Sequence, residues 1–129
     1  MMLETATALV CMSYAIYFEA RSEPIVAQLA VAQVVMNRVD DHRFPNTVCE
    51  VVTDGLRYSW DSRKPEVIDD VRDYDWAEAI AWSVLEREIY IDVTDGSTHY
   101  HANYVSPYWA EAFTQTVCIN THCFYRWEH

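Results

Sequence analysis

The sequence predicts an α+β fold, with helices in the N-terminal two-thirds and a short antiparallel hairpin at the C-terminus. Three observations carry this. Apolar residues recur at helical spacing before residue 40 and again after Trp76. Residues 97–127 alternate instead, punctuated by Asp95-Gly96, Pro107 and Asn120-Thr121, which are signals of short strands and turns. No repeat, linker or low-complexity stretch interrupts residues 1–129, so the helices and strands fall in one domain.

The first helix is capped by Thr5 or Thr7 and runs to about Ala20, with Leu9, Met12, Ile16 and Ala20 on one stripe. Ser22-Glu23-Pro24 reads as a second helix start: a capping serine, then an acid and a proline in the first turn. That helix reaches about Val39. Ile25, Leu29, Ala32, Met36 and Val39 form its stripe, widened by Val31, Val34 and Val35, so it is buried on most sides and central. Asn37 and Arg38 near its end are capping or core-anchoring groups. After the loop from Asp40 to Asn46, Thr47 caps a short segment from Val48 to Thr53, and Asp54-Gly55 turns the chain. Leu56 to Trp60 alternates as a short strand does, and Asp61 to Asp75 is a charged loop or a partly helical one. Trp76 to Glu88 is a third helix, with Trp76, Ile80 and Val84 on its inner face. Ser97 to Ala102 is extended, Pro107 to Trp109 opens a helical turn, and Thr114–Ile119 and His122–Trp127 pair across Asn120-Thr121.

Composition narrows the function. The net charge is −11 over 129 residues, which argues against a nucleic-acid partner, since such partners need a basic face. No apolar run is long enough to span a membrane, and the first ten residues carry no basic region of a signal peptide. With only two glycines, a phosphate-cradling glycine loop is absent. The four cysteines allow three pairings. Cys118 and Cys123 bracket the hairpin turn, which would leave Cys11 to Cys49 and an oxidising destination; four buried thiols are the other reading.

The stretch of most chemical interest is Ile16-Tyr17-Phe18-Glu19-Ala20, where an acid sits at the end of an apolar helix between core and solvent. A carboxyl beside apolar surface suits glycoside cleavage, because desolvation favours the protonated form that the leaving oxygen needs. Thr98-His99-Tyr100-His101 is the second. Alternation sets His99 and His101 on one face and Thr98 and Tyr100 on the other. His122, Cys118 or Cys123 could in principle complete a metal site with them, but no standard spacing does so, and no metal or cofactor is expected. A hydrogen-bonding wall of a sugar cleft fits better. Ser59, Trp60, Tyr100, His101 and Tyr125 are the expected substrate contacts, because sugar C–H faces pack on aromatic rings. A cysteine–histidine protease is disfavoured, since no cysteine stands where its pKa would be lowered.

Together these segments carry a resemblance. Residues 16–24, Gln28 to Val39, Arg43-Phe44-Pro45-Asn46-Thr47-Val48-Cys49, Tyr58-Ser59-Trp60, Thr98 to Ala102, Val105-Ser106-Pro107-Tyr108-Trp109 and His122-Cys123-Phe124-Tyr125-Arg126 resemble, in order, the SleB/CwlJ-type cell wall hydrolases, the spore cortex-lytic enzyme family. The resemblance implies a lysozyme-like α+β domain that cuts peptidoglycan between N-acetylmuramic acid and N-acetylglucosamine, as a lytic transglycosylase leaving 1,6-anhydro ends. It implies that the family's catalytic glutamate falls on Glu19. Ser22 and Asn120 stand where the family usually has glycine, and Asp61 to Asp75 has no clear counterpart. The mechanism fits the residues, since a two-carboxylate hydrolase needs a second acid across the sugar and none stands at a comparable apolar site. Glu23, in a helix first turn, would favour its charged form and donate protons poorly. Plain hydrolysis by a muramidase or glucosaminidase, or an idle wall-binding module, are the rivals. A monomer acting on the bacterial cell wall, in the manner of a phage endolysin, is the expected biological setting.

Overall fold

The structure is a computed structural model and describes residues 2–55 and 68–128. The expected strand from Leu56 to Trp60 and residues 61–67 of the acidic stretch lie outside the described residues; the rest of that stretch is helical from Val71. Helix α1 (Met2–Ala20) begins ahead of both threonines expected to cap it. Its inner face buries Met12, Ala15, Ile16, Tyr17 and Ala20. Among these, the Tyr17 hydroxyl donates to Asp69 at 2.7 Å and accepts from the Asp70 amide at 3.1 Å. Arg21 pairs with the same Asp69 and holds its carboxyl below the usual range. This polar knot ties the last turn of α1 to the residues just ahead of the last helix.

Helix α2 is Ile25–Val39, and the expected cap at Ser22 is corrected. Pro24 occupies the N-cap, while Ser22 has φ 71 and ends α1 instead. A left-handed residue satisfies the closing bonds of a helix, and glycine adopts it most easily. Here the Arg21 amide donates to Tyr17 O and the Glu23 amide to Ala20 O. Glu23 therefore precedes α2 and is not in its first turn. α2 is central, as expected, but its apolar surface is shared between two neighbours. Val31, Ala32 and Val35 face the other helices, and Ala30 and Val34 face Phe124 of the sheet. Ile25, expected on the stripe, is 52% exposed.

The polar residues of α2 organise the segment that enters the sheet. Gln33 donates to Ile91 O and accepts from the Val93 amide. Asn37 donates to Asp92 at 2.8 Å and to Ser97 O at 2.9 Å, and buried Arg38 donates to Thr98 O at 2.7 Å. Residues 91–97 belong to no strand, so their backbone groups find partners on α2. Asn37 and Arg38 are thus anchoring groups, and they set where the first strand begins.

Thr47 caps the short helix α3 (Val48–Glu50), which continues into a π-helical turn, Val51–Gly55. Thr47 accepts from the Glu50 amide and donates to the Glu50 carboxylate. Cys49 is bonded to Cys11 of α1. Closing a loop of 38 residues restricts the unfolded chain by about 4 kcal/mol on the chain-entropy model. Helix α4 (Val71–Leu85) starts five residues earlier than expected, because Asp70 is its cap and accepts from the Asp73 amide. Its inner face is Ala77, Ile80, Ala81 and Val84; Trp76 is 52% exposed and does not belong to it. Small alanines let α4 approach α1 and α2, and the indole is left on the rim.

β1 (His99–Ala102), β2 (Thr114–Ile119) and β3 (His122–Arg126) form an antiparallel sheet in the order β1-β3-β2. A 3₁₀ turn at Tyr108–Ala112 leads into β2. His99 pairs with Tyr125, and Tyr100 with Phe124. The register shifts between Gln115 and Val117, and Thr116 there meets the Ser97 hydroxyl at 2.7 Å. Cys118 and Cys123, directly paired, are joined as the second disulfide, and the described chain has no free cysteine. Asn120 turns the hairpin at φ 53. None of the described helices is long and apolar enough to cross a membrane.

Candidate active site

Glu19 lies in the last turn of α1, half-buried, beside the sharp corner made by Ser22 and Pro24. Tyr100 of β1 crosses from the sheet and donates its hydroxyl to Glu19 Oε1 at 3.2 Å. Two ring contacts aim Tyr100. It lies over Phe124 at 5.4 Å, and His122 packs on it edge-on at 5.3 Å. His122 is in turn held by Glu23, its Nδ1 3.6 Å from Oε2.

Glu23 is fully engaged at the hairpin. Its Oε1 accepts from Asn120 Nδ2 at 2.9 Å and from Thr121 Oγ1 at 3.0 Å. The two acids at this corner therefore have different surroundings. Glu23 clamps the β2–β3 turn to the α1–α2 corner. Glu19 faces a phenol that orients it, at the edge between helices and sheet. The clamp is a feature that sequence reasoning missed. Its only signal was the pair of family-glycine positions filled here by Ser22 and Asn120, and both prove to be left-handed. At Asn120 the amide also supplies the bond to Glu23, which a glycine could not.

The sheet separates the remaining expected contacts. Tyr100 is on the inner face with Phe124, whereas His101 and Tyr125 are together on the outer face. His101 Nε2 is 2.8 Å from Tyr125 Oη, their rings are stacked at 5.1 Å, and Tyr125 reaches Gln115 Oε1 at 3.0 Å. Ser59 and Trp60 lie outside the described residues. His99 shares the outer face with His101 but is sunk among Phe44, Trp109, Phe113 and Trp127. Burial, with Arg38 and Arg43 nearby, lowers its pKa to about 4, so it is neutral at neutral pH. Cys118 and Cys123, considered as metal ligands beside these histidines, are tied up in the disulfide. Among the described residues no three His, Cys, Asp or Glu side chains group as metal ligands do.

Residues 22–125 match the family model described as Cell Wall Hydrolase. That span opens three residues after Glu19, so the match itself is silent on the acid. Among curated proteins, the spore cortex-lytic enzyme of Halalkalibacterium halodurans is 44% identical over 48 residues, which make up 37% of this chain and 14% of that protein. The spore cortex-lytic enzyme of Bacillus subtilis is 40% identical over 48 residues, 37% of this chain and 16% of that protein. The matched segments thus span a small part of these relatives. Among solved structures, the catalytic domain of the germination-specific lytic transglycosylase SleB from Bacillus anthracis is similar with a TM-score of 0.69 at 26% identity, over 92% of this chain and 93% of that one. The catalytic domain of the Bacillus cereus SleB protein has a TM-score of 0.70 at 26% identity, over 94% and 91%.

Proposed function

This chain belongs to the cell wall hydrolase family, and we propose that it cuts the glycan strand of peptidoglycan between N-acetylmuramic acid and N-acetylglucosamine as a lytic transglycosylase, with Glu19 as its acid and base. The observation that carries the reading is the Tyr100 hydroxyl on Glu19 at the helix–sheet edge. A proton-transferring group must be held in one orientation within reach of the bond it serves. Glu19 protonates the glycosidic oxygen as the bond from the muramic C1 breaks. The 6-hydroxyl of the same sugar then attacks C1, and Glu19, now a carboxylate, takes up the hydroxyl proton. The products are a 1,6-anhydro-muramic end and a free sugar hydroxyl. An internal nucleophile arrives already positioned, which in well-oriented systems removes on the order of 7–11 kcal/mol of barrier at best.

One carboxylate suffices for this route. The engagement of Glu23 by Asn120, Thr121 and His122 supports it, because a second acid so occupied is a poor candidate for activating water. Tyr100 is the contact on the Glu19 side. Ser59 and Trp60 remain proposed substrate contacts, as do His101 and Tyr125 on the outer face. Two disulfides suit a protein that works outside the reducing cytosol, where peptidoglycan is found.

The test is digestion of purified peptidoglycan by the unmodified protein and by Glu19→Gln, with product masses read. Anhydro-muramic ends that vanish in the variant are the expected result. Reducing ends would replace transglycosylation with hydrolysis, and unchanged activity of Glu19→Gln would move the acid elsewhere. Wall binding without any products would identify an idle module.

A further inference from the structure

The outer face of the sheet carries a cleft of about 550 Å³ that the proposed cleavage step does not use. This volume lies within the roughly 300–1,000 Å³ usual for small-ligand clefts. Its floor is the chain of His101, Tyr125 and Gln115 already described, in which each polar group is fixed by the next. His101 Nδ1 lies 2.7 Å from Ala102 O and its Nε2 faces the Tyr125 hydroxyl, which donates to Gln115 Oε1. Asn103 and Glu111 line the walls, and Tyr108, 95% exposed as a residue, forms the rim. Tyr104 nearby is 84% exposed.

The lining contains no Lys or Arg and one carboxylate, within a chain of net charge −11. An anionic ligand is therefore disfavoured. Amide and hydroxyl groups with exposed phenol rings suit a neutral ring that has an apolar C–H face and an N-acetyl group. We infer that the outer cleft is a second glycan site, which holds an N-acetylhexosamine unit of the strand on the sheet face opposite Glu19. Tyr108 stacks on the sugar, while Gln115 and Asn103 meet its hydroxyls and N-acetyl group. The site holds polymer while Glu19 cuts elsewhere on it, and in that respect it rests on the peptidoglycan reading above.

The experiment uses the full chain carrying Glu19→Gln, labelled with ¹⁵N and titrated with the N-acetylglucosamine tetramer. Saturable shifts are expected at the Asn103 and Gln115 side-chain amides and at the Tyr108 backbone amide. Tyr108→Ala should weaken them roughly fivefold, as loss of one ring contact does. Gln115→Ala, with its exposed side chain, is the second variant and should weaken them as well. Shifts confined to residues around Glu19 and Tyr100, no shifts at all, or unchanged affinity in both variants would overturn the site. Cleavage of purified peptidoglycan by the unmodified protein is followed in parallel. Fragments released with a silent outer cleft remove this site and leave the cleavage reading standing. A saturable outer cleft in a protein that releases no fragments does the reverse.

Discussion

Replacing Tyr100 with phenylalanine removes one hydroxyl and keeps the ring that packs on Phe124 and His122. The hydroxyl donates to Glu19 Oε1 at 3.2 Å, toward the long end for such a bond. A hydrogen bond contributes about 0.5–1.5 kcal/mol to a neutral carboxyl and about 1.5–3 to a carboxylate, so about 1.5 kcal/mol is the value the two forms share. Losing about 1.5 kcal/mol of orientation lowers the rate about tenfold, since about 1.4 kcal/mol is a factor of ten. The assay is the initial rate of muropeptide release from purified peptidoglycan, with a thermal melt alongside. The melting temperature should stay close to that of the parent because the ring contacts remain. In a Glu19→Gln background the same substitution should cost nothing further, because both changes act through one group. A Tyr100→Phe rate within twofold of the parent would refute the positioning role. So would a full tenfold loss on top of Glu19→Gln.

Other substitutions probe the frame around the site. Ser22→Gly should raise the melting temperature by about 2–4 °C, since it relieves a left-handed residue whose side chain reaches Asp73 only at 3.4 Å, on the surface. Asn120→Gly relieves the same backbone cost but removes the amide that donates to Glu23, so it should lower the melting temperature; thermal melts of the pair check the opposite signs. His99 takes its proton at about 4 when folded and near 6.5 when unfolded, so the unfolded chain binds the proton first as pH falls. Stability should therefore decline from about pH 6.5 to about pH 4 and then level off for this group. His99→Phe, which suits its aromatic surroundings, should flatten that slope in denaturant titrations. Asp41, lowered to about 2 by Arg43, loses its contribution only below the ordinary carboxylate range, so the two windows separate.

Much of the frame is legible because it depends on local chemistry. The Thr47 cap, the Asn120-Thr121 hairpin and the shoulder position of Glu19 all follow from spacing and turn residues. The misreadings have two causes, a residue type that fits two local roles and an apolar residue that no neighbour covers. Ser22 suits the start of the second helix and equally the end of the first, and only backbone dihedrals distinguish the two. The Asp70 cap is hidden among acids that look alike in sequence, so the periodicity places the start of α4 as late as Trp76. Ile25 and Trp76 fit an apolar stripe by number but sit where no neighbour arrives to cover them.

The sequence alone determined the order of the described helices and strands, the likeness to cell wall hydrolases and the candidate acid, since these rest on residue type and on spacing within one segment. The tertiary structure decided which groups meet across long stretches of chain. It brought the Tyr100 hydroxyl to Glu19, committed Glu23 to the hairpin turn and sent His101 to the far face of the sheet. Strand alternation already separated Tyr100 from His101. Which of those faces meets α1 depends on Gln33, Asn37 and Arg38 of α2 fastening residues 91–98, and such long-range polar contacts have no periodicity from which to be read.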